Sequence, residues 1–251
     1  MEPFGNLLKH WRLRRRYSQL DLAVAANVSS RHISFLETGR SRPSRTMVLQ
    51  LSDVMDVPRG ERNSLLTSAG FSAAFAARDT DSNDLRFVRE AIAWTLERHD
   101  PYPAIAFDRH WQVVKMNRCA STLLGRLGVG EGDSLLEAFL SKGPLRDALV
   151  NWPEIAREMR ARLRTESTHY GGDPILEAAI DRLGTLDSGD DRESRAPYPA
   201  VIPVEYRAGP YKLSFFSTIS QFGSAEDIVL ADLKIELMFP ADEATRRALL
   251  E

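Results

Sequence analysis

The spacing of apolar residues in residues 18–44 most constrains the fold of this 251-residue chain. Leu22, Ala23 and Ala26 recur at the spacing of one helical face, and after a short polar break the helical spacing resumes beyond Ser29. Two helices of this length cannot each bury an apolar stripe alone, so they must share one small core. The pattern therefore predicts a helix-turn-helix unit.

The second of these helices has recognisable signals at both ends. Ser29 is a good N-cap, because its side-chain oxygen can accept from the backbone N–H groups of the next turn. Gly39 is a natural helix-ending residue. Residues 29–38 are thus predicted to form a short helix with a polar surface, a unit commonly used to read DNA. The side chains expected to point outward are Ser30, Arg31, His32 and Ser34.

Residues 18–44 also carry a resemblance. Gln19 directly after the capping Ser18, followed by LAVAANVSSRHISFLETGR and RPS, resembles the Xre/Cro/lambda-repressor family of DNA-binding domains over residues 7–69. The resemblance implies that the second helix lies in the major groove and that Arg12 and Glu37 form a supporting pair. The implied base-facing set is Ser29, Ser30, Arg31, His32 and Ser34, and the implied backbone anchors are Gln19, Arg40, Arg42 and Ser44.

Charge is distributed unevenly along the chain. Residues 1–45 contain nine lysine or arginine residues and three acidic ones, a formal charge of +6, whereas the whole chain is at −2. A basic head favours phosphate contacts and hence a double-stranded DNA operator as partner. Within it, Arg31 is expected to carry specificity, because a guanidinium can bind guanine O6 and N7 in bidentate fashion.

Length and breaker residues predict the domain organisation. A chain of 251 residues is expected to form one or two domains. We expect a helix-turn-helix head at residues 1–70, a linker at 71–84 and a second domain at 85–251, with a further loop at 188–194. The head is expected to be all-α, with five helices at residues 4–16, 18–26, 29–38, 44–55 and 60–69.

The second domain has a mixed pattern. Strands are predicted at residues 104–107, 111–115, 201–207, 211–222 and 228–239, and the helical middle includes residues 152–165 and 174–183. In the last strand, apolar residues alternate with Asp232, Lys234 and Glu236, so we expect one buried face and one largely solvated face. The expected fold is α+β with a five-stranded antiparallel sheet whose covered face can enclose a ligand.

This order of elements resembles a PAS-like sensor. The segments YPAIAFDRHWQVVKMNRCASTLLG, NWPEIAREMRARLRTE and LKIELMFPADEAT resemble the ligand-binding domain of the MmyB-like transcription regulators, over residues 85–245. The resemblance implies a PAS-like fold with a pocket that accommodates a fatty acid in at least one family member. It implies a small-molecule effector for this chain, with a fatty acid as the candidate.

The helix predicted near residue 152 supplies candidate ligand contacts. Its apolar residues form one stripe, and Arg160 and Arg162 fall on the two flanks, where a guanidinium can meet an anionic head group. Solvation or surface ion pairing of both arginines, and simple core packing of each apolar residue, remain alternatives. The candidate ligand-binding residues are Phe107, Val113, Met116, Trp152, Ile155, Met159, Arg160, Arg162, Leu163, Phe215 and Ile219.

Other functional classes receive little support. The sequence lacks a glycine-rich phosphate loop, a nucleophile-elbow motif and histidine pairs at metal-ligand spacing, so we expect no enzyme and no cofactor. Haem binding through His99, His110 or His169 is an alternative. A single cysteine, with neither a membrane-length apolar run nor a signal sequence, predicts a cytoplasmic protein without membrane association.

Two hypotheses for the function of the whole chain therefore remain. The first is a homodimeric, ligand-responsive transcription regulator that binds a pseudo-palindromic operator. The second is a helix-turn-helix repressor whose C-terminal domain serves only dimerisation or partner binding.

Overall fold

A computed structural model describes residues 2–78, 82–186, 201–209, 211–223 and 226–250 of the chain. The loop expected at residues 188–194 lies outside these described residues. The chain forms two compact units. The first unit comprises Met1–Ala77, Thr165–Pro174 and Ala225–Ile228, and the second comprises Arg78–Arg164, Ile175–Ser224 and Val229–Glu251.

The N-terminal helices begin where the polar capping residues predict. Ser18, Ser29 and Ser44 each precede a helix and accept a hydrogen bond from the backbone N–H three residues later. Ser18 and Asp21 bond each other's backbone reciprocally, which forms a capping box. The all-α head is confirmed. Its helices are α1 (Phe4–Arg14), α2 (Gln19–Ala25), α3 (Ser30–Glu37), α4 (Arg45–Val54) and α5 (Arg59–Ser68).

The head has one closely packed apolar core. Leu22 of α2, Ile33 and Leu36 of α3, and Leu66 of α5 are all buried in it. Helix α1 approaches the end of α3 so closely at Gly5 that an added Cβ would lie 2.3 Å from the carbonyl oxygen of Glu37. The absence of a side chain at Gly5 therefore permits the contact between α1 and α3.

The start of the expected linker is tied to α5. The side-chain oxygen of Asn63 accepts from the backbone N–H groups of Ala74 and Phe75, at 2.8 and 3.1 Å. The side-chain amide of Asn63 donates back to the carbonyl oxygen of Phe75 at 2.8 Å. Residues 74 and 75 are thus held by three hydrogen bonds from one asparagine.

The remainder of the chain is α+β, as expected. Its sheet has the strand order β2-β1-β5-β4-β3, and each neighbouring pair is antiparallel. The strands are β1 (Ala104–Phe107), β2 (Val113–Met116), β3 (Val204–Ala208), β4 (Tyr211–Gln221) and β5 (Lys234–Pro240). The helices are α6 (Arg86–Arg98), α7 (Arg118–Arg126), α8 (Leu135–Leu140), α9 (Pro144–Ala148), α10 (Trp152–His169), α11 (Pro174–Leu186), α12 (Ile228–Asp232) and α13 (Glu243–Leu250).

The asparagine that caps α7 also joins three elements. Asn117 accepts from the backbone N–H groups of Ala104 and Ala120, at 3.1 and 2.9 Å. Its side-chain amide donates to the carbonyl oxygens of Leu96 and Tyr102. This buried amide therefore fixes the end of α6 and the start of β1 relative to α7.

The last strand differs from its prediction in two respects. Residues 228–232 form helix α12, and the strand begins only at Lys234. The face expected to be largely solvated is instead covered, since Lys234 is buried and the Glu236 side chain is 13% exposed. The opposite face carries Ile235 and Leu237 against α6. The prediction of a solvated face was wrong because alternation does not distinguish bulk water from an internal cavity.

A membrane-spanning helix needs about 20 predominantly apolar residues. None of the helices within the described ranges meets that requirement.

Candidate functional site

Helix α3 presents a polar N-terminal half. The side-chain oxygen of Ser29 accepts from the backbone N–H of His32 at 3.1 Å, which fixes the first turn. Ser29, Ser30 and Arg31 are exposed, whereas Ile33 on the opposite face is buried. The guanidinium of Arg31 lies 5.1 Å from the ring centroid of Phe35, one turn further along. This stacking pre-orients a bidentate donor at the exposed end of the helix.

The end of α3 turns the chain so that two further arginines are exposed. Gly39 has a φ of 72°. Its N–H donates to the Leu36 carbonyl oxygen, and the N–H of Arg40 donates to the Phe35 carbonyl oxygen at 2.9 Å, the pattern of a Schellman motif. Arg40 and the following Arg42 are both exposed. The turn therefore places two guanidinium groups beside the surface of α3.

A buried ion pair ties α1 to α3. Arg12 donates from Nε to Oε1 of Glu37 at 2.6 Å and from Nη2 to Oε2 at 3.0 Å, which makes the pair bidentate. Gln19, the first residue of α2, donates from Nε2 to the same carboxylate at 2.8 Å. Three helices of the head therefore meet at Glu37, and the expected pair of Arg12 and Glu37 is present.

Ser44 lies beyond the two exposed arginines. Its side-chain oxygen accepts from the Met47 backbone N–H at 3.1 Å and caps α4. A hydroxyl group that accepts one hydrogen bond can still donate its proton outward. Ser44 can thus cap α4 and at the same time donate a hydrogen bond to an oxygen atom outside the protein.

A cavity lies within the second unit, on the sheet face that carries Glu236 and Met238. Its volume is about 220 Å³. Helices α8 and α10 contribute much of the opposite wall. The lining is mostly apolar, which is typical of sites for small organic ligands. The apolar lining residues are Trp111, Leu124, Leu135, Phe139, Ile155, Met159, Ile202, Val204, Phe215, Phe216 and Met238.

A few polar groups interrupt this apolar lining, namely Glu158, Arg162, Tyr206, Ser217 and Glu236. Arg162 lies 3.7 Å from the Glu236 carboxylate, and its guanidinium carbon lies 4.3 Å from the centroid of the Trp111 ring. Burial raises the pKa of Tyr206 well above its ordinary value, and the negative charge of Glu236 raises it further. Tyr206 is therefore a neutral phenol that can donate a hydrogen bond.

Comparison with known proteins assigns both regions. Residues 3–65 match a helix-turn-helix domain family. Residues 88–251, more than half of the chain, match the family described as MmyB-like transcription regulator ligand binding domain. The chain belongs to the MmyB-like transcription regulators. A search of curated proteins found no match.

The cavity lies in the MmyB-like ligand-binding domain, and four of the candidate ligand residues line it. These are Ile155, Met159, Arg162 and Phe215. The flanking arginines of α10 therefore differ. Arg162 reaches the cavity, whereas Arg160 lies against α11, where a Cβ added to Gly184 would be 2.7 Å from its Nη2.

The other candidates lie outside the lining. Trp152 and Leu163 are buried elsewhere along α10, and Phe107 is buried in the sheet with its ring 5.6 Å from the Arg162 guanidinium. Val113 is buried in β2, and Met116, at the end of the same strand, is half-buried. Ile219 on β4 is 43% exposed.

Apart from Arg162, the polar lining of the cavity was missed from the sequence. Glu236 belongs to the polar half of an alternating strand, which is ordinarily solvated. Tyr206 lies on β3 and Ser217 on β4, where the only predicted ligand contacts were the apolar residues Phe215 and Ile219. Glu158 lies on the polar side of α10. Trp111, an apolar lining residue that was also missed, belongs to the strand predicted at residues 111–115 and precedes β2 in the structure. The signal available was the position of Glu236 between apolar residues of β5.

The histidines considered for haem have other surroundings. The Nε2 of His99 donates to the carbonyl oxygen of Met238 at 2.7 Å, and its ring packs edge-on against Phe239 at 4.8 Å. His110 lies beside Arg109, whose Nε is 3.2 Å from its ring. Among the described residues, no group of three or more histidine, cysteine or acidic side chains is arranged to hold a metal ion.

The MmyB-like chain thus combines a helix-turn-helix domain with a ligand-binding domain of transcription regulators. Both matched families are regulatory. A ligand-regulated transcription regulator is the function that these two domains indicate.

Proposed function

We propose that this protein is a sequence-specific DNA-binding regulator whose affinity for its operator changes when a small apolar or amphipathic, fatty-acid-like molecule occupies the cavity. It acts in the cytoplasm, as a homodimer on a pseudo-palindromic operator. The observation that carries the proposal is the presence, in one chain, of an exposed polar helix start at Ser29 to Arg31 and a largely apolar cavity.

In this proposal the start of α3 enters the major groove. Arg31 binds guanine O6 and N7, and Ser30, His32 and Ser34 contact neighbouring base edges. Gln19, Arg40, Arg42 and Ser44 bind phosphates on either side. The exposure of Arg31, Arg40 and Arg42 on one segment supports this arrangement, as does the excess of basic residues in residues 1–45.

The apolar lining supports an alkyl or ring-shaped ligand. Ile155 and Met159 of α10 face Phe215 and Met238 of the sheet across the cavity, and burial of an alkyl chain contributes about 0.8 kcal/mol for each CH₂. The polar groups at Arg162, Glu236 and Tyr206 give the cavity one polar region. An amphipathic ligand satisfies both parts of such a lining.

The effect of the ligand on DNA binding is limited by thermodynamics. A ligand changes operator affinity only by the factor by which its own affinity differs between the DNA-bound and free forms. Couplings of this kind are typically about 1–3 kcal/mol, or about 5- to 150-fold in affinity. Operator affinity is therefore the quantity to measure.

The rival function is a C-terminal domain that serves only dimerisation or partner binding. It requires no cavity ligand. The match to a ligand-binding domain family and the mostly apolar cavity both favour the sensor.

Filling the cavity separates the two functions. Met159→Trp places a larger side chain in the lining, whereas Ala161→Trp alters an exposed position of the same helix and serves as the control. We expect native mass spectrometry to find a small molecule bound to the wild type and to Ala161→Trp but not to Met159→Trp. The same molecule should change operator affinity only in the first two proteins.

A protein that binds its operator but retains no molecule, and whose operator affinity responds to no added amphipath, would establish the dimerisation rival. Operator selection and footprinting test the DNA half independently. We expect a protected site with two half-sites separated by about one helical turn, ~34 Å.

A further inference from the structure

The outer side of α6 carries two large aromatic side chains that are mostly exposed. Phe87 is 71% exposed and Trp94 is 61% exposed. They are seven residues apart, which is about two helical turns, so both lie on the same side of the helix. Ala91 between them and Arg98 one turn beyond are exposed on that side as well. Phe87, Ala91, Trp94 and Arg98 together form the aromatic stripe of α6.

The inner side of the same helix is occupied by the sheet. Ile92 and Leu96 of α6 are buried in a cluster with residues of β1 and β5, among them Ile235. The ligand cavity lies on the other face of this sheet, which carries Glu236 and Met238. A partner bound to the aromatic stripe therefore leaves the cavity accessible.

The apolar surface around the stripe is larger than the two rings alone. Exposed apolar side chains are ordinary when they are scattered singly, whereas a contiguous group marks a contact surface. A mostly apolar hollow of about 260 Å³ lies beside the stripe, lined by Val88 and Ile92 of α6, Val114 of β2 and Leu230 of α12. A specific interface buries roughly 800 Å² on each partner. The hollow supplies area that the two rings do not provide.

The stripe complements a second copy of itself in the antiparallel direction. When two such helices run in opposite directions, Ala91 of each faces Trp94 of the other, and Phe87 of each faces Arg98 of the other. A small residue opposite a large one allows close packing, and a guanidinium over an aromatic ring is a favourable contact. The Arg86 guanidinium carbon already lies 4.7 Å from the centroid of the Phe87 ring, which shows that this ring accepts a cation. In a twofold dimer each contact occurs twice.

Charge also favours the antiparallel direction. Asp84 lies just before α6, and Arg98 is its last residue; both are exposed. An antiparallel copy brings Arg98 of each chain to the end of α6 at which the other carries Asp84, whereas a parallel copy brings like charges together. Asp84 already pairs with Arg78 at 3.3 Å, but a carboxylate has several acceptor sites and can bind a second guanidinium.

We propose that this protein dimerises through the aromatic stripe of α6, which packs antiparallel against the same stripe of a second copy. Phe87 and Trp94 are the apolar anchors of the interface, and Arg98 and Asp84 set its direction at the rim. The inference rests on the homodimer in the proposed function and specifies the surface that forms it.

Substitution of an anchor is the first test. Sedimentation velocity of the full-length protein should find a dimer for the wild type. Trp94→Glu should raise the dimer dissociation constant at least about hundredfold, because it removes a central aromatic side chain and places a carboxylate in an apolar contact. Tyr211→Glu is the control, since Tyr211 is a similarly exposed aromatic residue, at 65%, on β4. It should leave the dissociation constant unchanged. A Trp94→Glu protein that dimerises as tightly as the wild type would overturn the inference.

A charge exchange tests the direction of pairing. Arg98→Asp places two acidic side chains opposite each other in the homodimer, and Asp84→Arg places two arginines opposite each other. Each variant alone should raise the dissociation constant at least about tenfold. An equal mixture of the two variants restores opposite charges at both contacts, so we expect heterodimers of about wild-type affinity. Since both positions are exposed, neither change disturbs the core. A mixture that associates no better than its components would contradict antiparallel pairing.

These outcomes separate the inference from the proposed function. A wild-type dimer that persists in Trp94→Glu means that another surface forms it, and the proposed homodimer stands without this interface. A wild type that is monomeric both in solution and on its operator leaves the stripe to a different protein, so the inference and the homodimer are then both wrong. Ligand-dependent operator affinity is measured independently of either result.

Discussion

The head and the ligand-binding domain each contain an arginine–glutamate pair, and the two pairs differ in geometry. In the head, Arg12 and Glu37 form a bidentate pair with a shortest contact of 2.6 Å and side-chain exposures of 8% and 3%. In the cavity, Arg162 and Glu236 are 3.7 Å apart and retain more contact with solvent. A short, closed pair holds helices together, whereas a longer pair at a cavity wall can respond to a ligand.

The closed pair should have the largest effect on stability. Glu37→Ala leaves the Arg12 guanidinium buried without its carboxylate and removes the acceptor of Gln19. We expect the free energy of unfolding of the head to fall by about 3–5 kcal/mol, measured by chemical denaturation.

The control for this change is an exposed acidic partner in the same head. Asp53 pairs with Arg62, but its side chain is 65% exposed. We expect Asp53→Asn to cost less than about 1 kcal/mol. Equal losses in the two variants would remove the distinction between a closed and an open pair.

The next largest effect on stability is expected where α1 closely approaches α3, beside Glu37. A Cβ at position 5 would lie 2.3 Å from the Glu37 carbonyl oxygen, and backbone atoms cannot move aside as a flexible side chain can. We expect Gly5→Ala to lower the free energy of unfolding by about 1–3 kcal/mol.

A glycine-to-alanine substitution in the ligand-binding domain should change stability in the opposite direction. Gly125 lies in the last turn of α7 with open space where its Cβ would be, so Gly125→Ala should raise stability by up to about 1 kcal/mol. Thermal unfolding of both variants measures the difference. Destabilisation of similar size at both positions would mean that local packing does not decide the outcome.

The exposed start of α3 should affect DNA binding without affecting stability. Arg31→Ala should weaken operator binding by about 1–3 kcal/mol and relax base preference at one position, because a bidentate contact to guanine is lost. Arg31→Lys is the matched variant, since it keeps the charge but not the planar fork. A binding-site selection on all three proteins measures both effects. Unchanged base preference in Arg31→Ala would refute its role.

The smallest effect is expected at an exposed pair. The hydrogen bonds from Arg182, and then from Ser141, lower the pKa of Glu137 to about 2. A carboxyl group whose pKa is lowered in the folded state stabilises the protein at pH values above its ordinary pKa. That contribution is lost as the pH falls through the lowered pKa of about 2. Because the Glu137 side chain is 55% exposed, the contribution should stay below about 1 kcal/mol.

Comparison of wild type with Glu137→Gln across acidic pH measures this contribution. Their stabilities should differ slightly near neutral pH and converge as the pH approaches the lowered pKa. A difference in stability that grew as the pH fell would contradict the expected contribution of the pair formed by Glu137 and Arg182.

The two regions also differ in how far the sequence predicted them. In the head, the serine caps at positions 18, 29 and 44 and the apolar spacing around Leu22 and Ile33 determine the helices locally. These signals predicted the five helices to within two residues at their ends. Local capping chemistry therefore sufficed for the surface that carries Arg31.

The cavity depends on contacts that are distant in sequence. Helical spacing placed Arg160 and Arg162 on equivalent flanks of α10. Only the packing of Arg160 against Gly184 of α11 distinguishes them. Alternation marked Glu236 as solvated, although the sheet turns that face toward α10. No local rule states which partner will cover a polar residue, so the apolar lining was partly predicted, and of the polar lining only Arg162 was predicted.

The central claim is that the cavity ligand and the operator are thermodynamically coupled. The most direct measurement is a complete binding cycle, in which operator affinity is determined with and without a saturating cavity ligand, and ligand affinity with and without operator. We expect both affinities to change by the same factor, at least about fivefold, because linkage requires reciprocity. If each partner binds but neither changes the affinity of the other, the chain is a DNA-binding protein with a separate ligand cavity, and the claim of ligand-regulated DNA binding is wrong.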